Sequence, residues 1–63
     1  MTVNTNRGKI TATEEVLNYI SLIALNAADF YKERGFISMA EESAEFSLEI
    51  YDALKLSGIY DKL

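Results

Sequence analysis

Gly35 is the one strong break in a long stretch of helical pattern. The chain contains no proline, and Gly35 is the only glycine between Thr13 and Ser57. Apolar residues recur at helical spacing on both sides of it, and a glycine after such a run is typical of a helix C-terminus. The sequence therefore predicts two helices of similar length joined by a tight turn.

Capping residues set the expected bounds of these helices at about residues 12–34 and about residues 38–57. Thr11 or Thr13 can accept hydrogen bonds from the free N–H groups of the first helix. For the second helix, Ser38 with Glu41 three residues later matches a capping box. Residues 11–63 are thus expected to form one helical hairpin domain.

The first ten residues have no helical period and are rich in threonine and asparagine. Gly8 is a residue type that favours a turn, and Val3 and Ile10 suit an extended strand. We expect residues 1–10 to be a short N-terminal arm, either flexible or extended.

Both helices carry apolar arcs wider than one neighbouring helix can cover. On a helical wheel the arcs span about 180° on the first helix and about 220° on the second. The expected fold is all-α, a two-helix antiparallel hairpin that assembles as a dimeric four-helix bundle, with a hetero-partner as the alternative. The residues expected in the dimer core are Ile20, Ile23, Phe30, Phe46, Ile50 and Tyr51.

Small size supports the expectation of a partner chain. A domain of this length buries only about 60% of its unfolded surface, and such domains usually need a further stabilising element. The 63 residues include no cysteine and no histidine, which excludes disulfides and the ordinary zinc ligands. Oligomerisation is the remaining choice, and we expect a homodimer.

The same composition argues against catalysis. Histidine and cysteine are the usual bases and nucleophiles near neutral pH, and the paired carboxylates at Glu14/Glu15 and Glu41/Glu42 point about 100° apart on a helix. We expect no enzyme activity, no catalytic residues, no cofactor and no metal. With no sign of a disulfide-framed secreted domain, the expected location is the cytoplasm.

Charge and hydropathy restrict the partners. The net charge is −4 with only six scattered basic residues, and this charge balance argues against nucleic acid as a partner. The apolar run from Val16 to Ala28 is too short and too polar to span a bilayer, and no membrane association is expected.

A protein target is the expected partner, and three features are candidates for its binding. An acidic stripe on the second helix has a spacing similar to successive phosphates, although an ordinary solvated face is the alternative interpretation. Two leucines lie one turn apart on the polar side of the first helix, and a tyrosine lies in the C-terminal tail. The candidate residues are Glu41, Glu45, Glu49, Asp52, Leu22, Leu25 and Tyr60.

Six residues between positions 28 and 47 share a spacing of small, aromatic and glycine positions, namely Ala28, Tyr31, Gly35, Ile37, Ala40 and Ser47. In this spacing the stretch resembles one helical hairpin of the tetratricopeptide type. The resemblance implies tight helix packing in a single unit, whereas such repeats need about three stacked units for stability.

The function expected from these features is a small non-enzymatic protein–protein interaction module. It would act as an adaptor or inhibitor of a larger bacterial or phage-related protein, by analogy with other compact regulators. The alternative is a nucleic-acid-binding regulator in which Gly35 forms the turn of a helix-turn-helix. The glutamates of its would-be recognition helix count against it.

Overall fold

The protein is a helical hairpin with a small β-hairpin packed against it. The computed structural model describes residues 1–57, which form strands β1 (Thr2–Thr5) and β2 (Gly8–Thr11) and helices α1 (Glu14–Glu33) and α2 (Ile37–Leu56). The Cα envelope measures 36 × 25 × 15 Å, a thin slab in which few side chains can be far from solvent. The predicted helical hairpin is confirmed, and the two strands are an addition to it.

The N-terminal segment, predicted to be a flexible or extended arm, forms a paired β-hairpin. Thr5 pairs with Gly8 at the end of the antiparallel ladder, which leaves Asn6 and Arg7 as the turn. Gly8 has φ 104°, a conformation that glycine adopts without steric cost. The Thr5 hydroxyl accepts the Arg7 N–H at 3.1 Å and donates to the Gly8 carbonyl at 2.8 Å. Local turn chemistry therefore closes the hairpin.

Helix α1 begins and ends as the sequence predicts. Thr13 is its N-cap, and the Thr13 hydroxyl accepts a backbone N–H from three residues onward at 3.2 Å. At the other end Gly35, with φ 82°, donates its N–H to the Lys32 carbonyl, and the Phe36 N–H reaches the Tyr31 carbonyl at 2.9 Å. These two bonds form a Schellman motif, which satisfies carbonyls that the helix end leaves open.

The predicted capping box of α2 is wrong. The N-cap is Phe36, which makes no side-chain capping bond, and the helix begins at Ile37. The Phe36 carbonyl accepts the Ala40 N–H at 2.9 Å, so the first helical turn closes directly after the Schellman motif. Ser38 is therefore the second helical residue, and its hydroxyl is two residues too late to cap.

The two helices run antiparallel. Residues of increasing number along α1 lie beside residues of decreasing number along α2. Asn18 and Tyr51 lie at one end of their shared surface, and Ala28 and Ala40 lie at the other. A connection of only three residues leaves no other arrangement for adjacent helices. Within residues 1–57, neither helix has the length and apolar character of a membrane-spanning segment.

The hydrophobic core joins the β-hairpin to the open end of the helical hairpin. Its fully or nearly fully buried members come from β1, α1 and α2, and they are Val3, Leu17, Ile50 and Leu54. Half-buried side chains surround this cluster, namely Ile10, Ala12, Ile20, Phe46 and Ala53. The first strand is therefore part of the core.

Polar contacts hold the tip of the β-hairpin on α2. The Asn6 backbone N–H donates to the Glu49 carboxylate at 3.1 Å, and the Asn6 side-chain amide donates to the Glu42 carbonyl at 3.2 Å. The Arg7 guanidinium lies 5.5 Å from the centre of the Phe46 ring, within cation–π range. Because Glu42, Phe46 and Glu49 follow one another along one side of α2, the hairpin lies along that side.

The wide apolar arc of α2 thus meets two neighbours of its own chain. One edge packs on α1, and another lies under the β-hairpin, where a second chain was expected. Ile50 is fully buried there, and Ile20 and Phe46 are half-buried. These three residues of the predicted dimer core are therefore covered within one chain.

Candidate interaction surfaces

A long groove runs between α1 and α2 on the side of the slab opposite the β-hairpin. It consists of two adjoining cavities of about 440 and 370 Å³, which share Leu25 and Ala44 in their walls. We call it the inter-helix groove, and its walls are formed by Asn18, Ser21, Leu22, Leu25, Ala28, Asp29 and Lys32 of α1 and Ile37, Ala40, Glu41, Ala44, Ser47, Leu48 and Tyr51 of α2. Most of these side chains are apolar or small.

Two serines cross the helix pair at the floor of the groove. The Ser47 hydroxyl donates to the Ser21 carbonyl at 2.7 Å, and the Ser21 hydroxyl lies 3.2 Å from both the carbonyl and the hydroxyl of Ser47. Both residues are buried, and no buried side-chain nitrogen or oxygen in the described part of the chain lacks a hydrogen bond. A side chain that reaches the opposite backbone requires closely spaced helices, which the small residues Ala28 and Ala40 permit.

The walls of the groove expose large apolar side chains. Leu22 and Leu25 of α1 are each 50% exposed, and Leu48 of α2 is 57% exposed. Ile37 and Tyr51 extend the same wall toward the two ends of the groove. A row of such side chains at helical spacing over a floor of small residues is the usual form of a helix-binding surface.

The charges that border the groove are mainly acidic. Asp29 and Glu41 lie in its walls with a single cation, Lys32. Glu45 and Asp52 follow Glu41 on the exposed side of α2, at spacings that keep all three on one helix flank. The groove therefore combines an apolar floor with a negative border.

A second exposed apolar surface lies on α1 away from the groove. It comprises Val16, Tyr19, Ile23 and Phe30, which we call the α1 outer row, and each of these side chains is exposed. Val16, Ile23 and Phe30 are seven residues apart, the spacing of a helix-pairing seam. The Arg34 guanidinium lies 4.2 Å above the Phe30 ring and places a positive charge at one end of the row.

The structure brings some of the predicted partner-binding residues together and separates others. Leu22, Leu25 and Glu41 all lie in the inter-helix groove. Glu45 and Asp52 are exposed on the neighbouring flank of α2. Tyr60, by contrast, lies outside the described residues.

Glu49 differs from the other members of the predicted acidic stripe. It is half-buried, and its carboxylate accepts the backbone N–H of Asn6. This contact belongs to the packing of the β-hairpin on α2. The stripe available to a partner is therefore reduced to Glu41, Glu45 and Asp52.

The predicted dimer core does not form one surface. Ile20, Phe46 and Ile50 belong to the core and its border, as described above. Tyr51 lines the inter-helix groove on the opposite side. The two remaining members, Ile23 and Phe30, are exposed in the α1 outer row.

Ala44, Leu48 and Ile37 line the groove although the sequence did not single them out as binding residues. Together with Tyr51, these residues are spaced three, four or seven positions apart along α2, so they form one row on the same side of the helix. That row was visible as part of the wide apolar arc. The sequence alone does not divide the arc into a buried portion and a groove wall.

The described residues contain no group of acidic side chains arranged to hold a metal ion. The comparisons with known proteins gave no match to a protein family, to a curated protein or to a solved structure. The surfaces themselves are therefore the basis for a functional interpretation.

Proposed function

We propose that this protein is a small non-enzymatic protein–protein interaction module that docks on a larger protein through its inter-helix groove. The observation that supports this most is the exposure of Leu22, Leu25 and Leu48 in one continuous groove. Thirteen large apolar side chains are exposed among the described residues, many for so small a molecule. Contiguous apolar surface of this kind marks interaction sites in soluble proteins.

The role we propose within this class is that of an adaptor or inhibitor. Leu22 and Leu25 support this role, because the sequence marks both as candidate anchors for a target and both lie in the wall of the groove. A bacterial or phage-related target and a cytoplasmic location remain predictions from composition and analogy.

We also propose that the chain forms a homodimer, and that the α1 outer row is the surface on which the second copy packs. Exposed Val16, Ile23 and Phe30 at seven-residue spacing support this contact. Pairing α1 with its copy about a two-fold axis would bring two helical hairpins into one four-helix assembly. The groove would stay open for the target protein.

A matched pair of substitutions separates the two surfaces. Leu25→Gln alters the groove, and Ile23→Gln alters the α1 outer row two residues away, at side chains that are 50% and 66% exposed. Glutamine keeps the length and helix propensity of the side chain, so neither variant is expected to unfold. Solution mass by light scattering and affinity capture from cells of the source organism are measured for both.

The two proposals predict opposite results for these variants. Leu25→Gln should remain a dimer and lose a protein that the native chain captures, whereas Ile23→Gln should become a monomer and retain that protein. A native chain that is monomeric at about 100 μM contradicts the homodimer, since a dissociation constant above that range leaves little specific contact. A captured protein that Leu25→Gln retains contradicts docking through the groove.

The helix-turn-helix alternative has less support. The side of α2 that would face a phosphate backbone exposes Glu41, Glu45 and Asp52, which phosphates would repel. The charges of α2 therefore favour the interaction module over the helix-turn-helix regulator.

A further inference from the structure

We propose that the occupant of the inter-helix groove is a single amphipathic helix of the partner protein, with lysine or arginine on the borders of its apolar stripe. This inference rests on the proposed function, because it assumes that the groove is the docking site. It adds the conformation and the charge of the segment that binds there.

The shape of the groove favours a helix over an extended segment. Both walls are helices, whose backbone groups are already bonded within each helix, so no strand edge is available to pair with a bound strand. A helix brings its own backbone hydrogen bonds and can enter an apolar groove without unpaired polar groups. The groove between Ile37 and Tyr51 is about 21 Å long by the helical rise, or about four turns.

The floor of the groove has room for the large side chains of such a helix. Ala28, Ala40 and Ala44 have small side chains that leave space along its length. The Ser21–Ser47 pair holds the two walls close without filling the space above it. A bound helix with apolar residues at every third or fourth position can therefore pack between Leu25 and its neighbours.

Charge complementarity sets the sign of the flanking residues. The groove border carries Asp29 and Glu41 against Lys32, and Glu45 and Asp52 extend the acidic flank of α2. Both arginines of the described residues lie on other surfaces, where they stack on Phe46 and Phe30. A helix with basic borders is attracted by these negative charges and binds more tightly, whereas a helix with acidic borders is repelled.

The same field disfavours a second copy of this chain in the groove. A two-fold contact uses the same surface patch on both subunits, so a second copy would bring the same mainly acidic border, including Asp29 and Glu41, to the groove. Like charges opposed across an interface cost affinity. A second copy is therefore assigned to the α1 outer row.

Two synthetic peptides of about 18 residues, long enough for the groove, test the inference. Both have leucine at every third or fourth position; one has lysine at the bordering positions and the other has glutamate. Binding to the full chain is measured by fluorescence anisotropy at low and high salt, and amide chemical shifts locate the site. The variants are Leu25→Gln, with Ile23→Gln as its control, and Glu41→Lys, with Glu42→Lys as its control.

We expect the lysine peptide to bind at least about tenfold more tightly than the glutamate peptide at low salt, and to lose most of that advantage at high salt. Leu25→Gln should weaken its binding about tenfold or more, whereas Ile23→Gln should change it less than about twofold. Glu41→Lys should reduce the difference in affinity between the lysine and glutamate peptides. Glu42→Lys should leave that difference unchanged, because Glu42 lies on the β-hairpin side of α2.

Four results would overturn the inference. Equal affinity for both peptides would show that charge does not select the bound helix. Binding that Leu25→Gln leaves unchanged would show that the peptide binds outside the inter-helix groove. Dissociation of a dimer by the lysine peptide assigns the groove to a second copy. If neither peptide binds but a captured protein still depends on Leu25, then the occupant is not a helix and the proposed function stands.

Discussion

Replacing Val3 by alanine tests whether the β-hairpin belongs to the cooperative core. Val3 is only 3% exposed, and it packs with Leu17, Ile50 and Leu54, each of which is 0% exposed. The substitution removes two buried methyl groups, worth about 1.6 kcal/mol at about 0.8 kcal/mol per carbon. Its fully buried neighbours on the two helices cannot easily close the gap, so the total loss of unfolding free energy should be about 2–3 kcal/mol.

That loss is large for a chain of 63 residues. Domains of this length have a total unfolding free energy of about 3–9 kcal/mol. The melting temperature should fall by about 8–24 °C, at about 4–8 °C per kcal/mol. Asn4→Ala is the matched control, because Asn4 is exposed on the opposite face of the same strand, and it should change stability by less than about 0.5 kcal/mol.

Urea unfolding followed by far-ultraviolet circular dichroism measures both variants. One protein concentration must be used throughout, since any self-association makes the midpoint depend on concentration. If Val3→Ala loses less than about 0.5 kcal/mol with an unchanged denaturant dependence, then the hairpin does not contribute to the core and the reasoning fails.

Two further substitutions test local features of the helical hairpin. Gly35→Ala should lower the free energy of unfolding in urea by about 1–2 kcal/mol, because alanine must adopt φ 82°. Ser38→Ala, at an exposed position, is its control. An unchanged urea midpoint for Gly35→Ala would contradict the left-handed helix end. Ser47→Ala should cost about 1–2 kcal/mol through the lost bonds to Ser21. In a double-mutant cycle with Ser21→Ala the penalties should be less than additive, and simple additivity would show that the two hydroxyls do not interact.

The parts of the fold that depend on local sequence could be predicted. Gly35 and Thr13 act on backbone groups within a few residues, so their types alone indicate a helix end and a helix start. Ser38 has the right type but the wrong position, because the Schellman motif leads straight into α2 at Ile37. Where a helix-end signal and a helix-start signal lie close together they can compete, and backbone geometry decides which of them acts.

The β-hairpin and the division of the apolar arcs could not be predicted in the same way. Each strand has only four residues, too short for alternation to be distinguished from an irregular arm. The bond from Asn6 to Glu49 joins residues 43 positions apart, and nothing local to Glu49 marks it as a packing residue. A helical wheel shows how wide an apolar arc is, but not which neighbour covers each part of it.

Only part of the candidate site could be predicted from the sequence. Leu22 and Leu25 stand out because they interrupt a polar face, which is a local contrast on one helix. Ala44 and Leu48 sit inside an arc that is apolar throughout, so no contrast marks them. Only the position of α1 relative to α2 shows that these four residues share one groove.

The docking of β1 on α2 also sets an order of events during synthesis and folding. Val3 is made first, but its neighbours Ile50 and Leu54 are made more than forty residues later. The helical hairpin forms from contacts that are nearer in sequence, and such contacts are made quickly. The N-terminal strand can therefore bury Val3 only after both of these residues have been made, and its apolar face stays exposed until then.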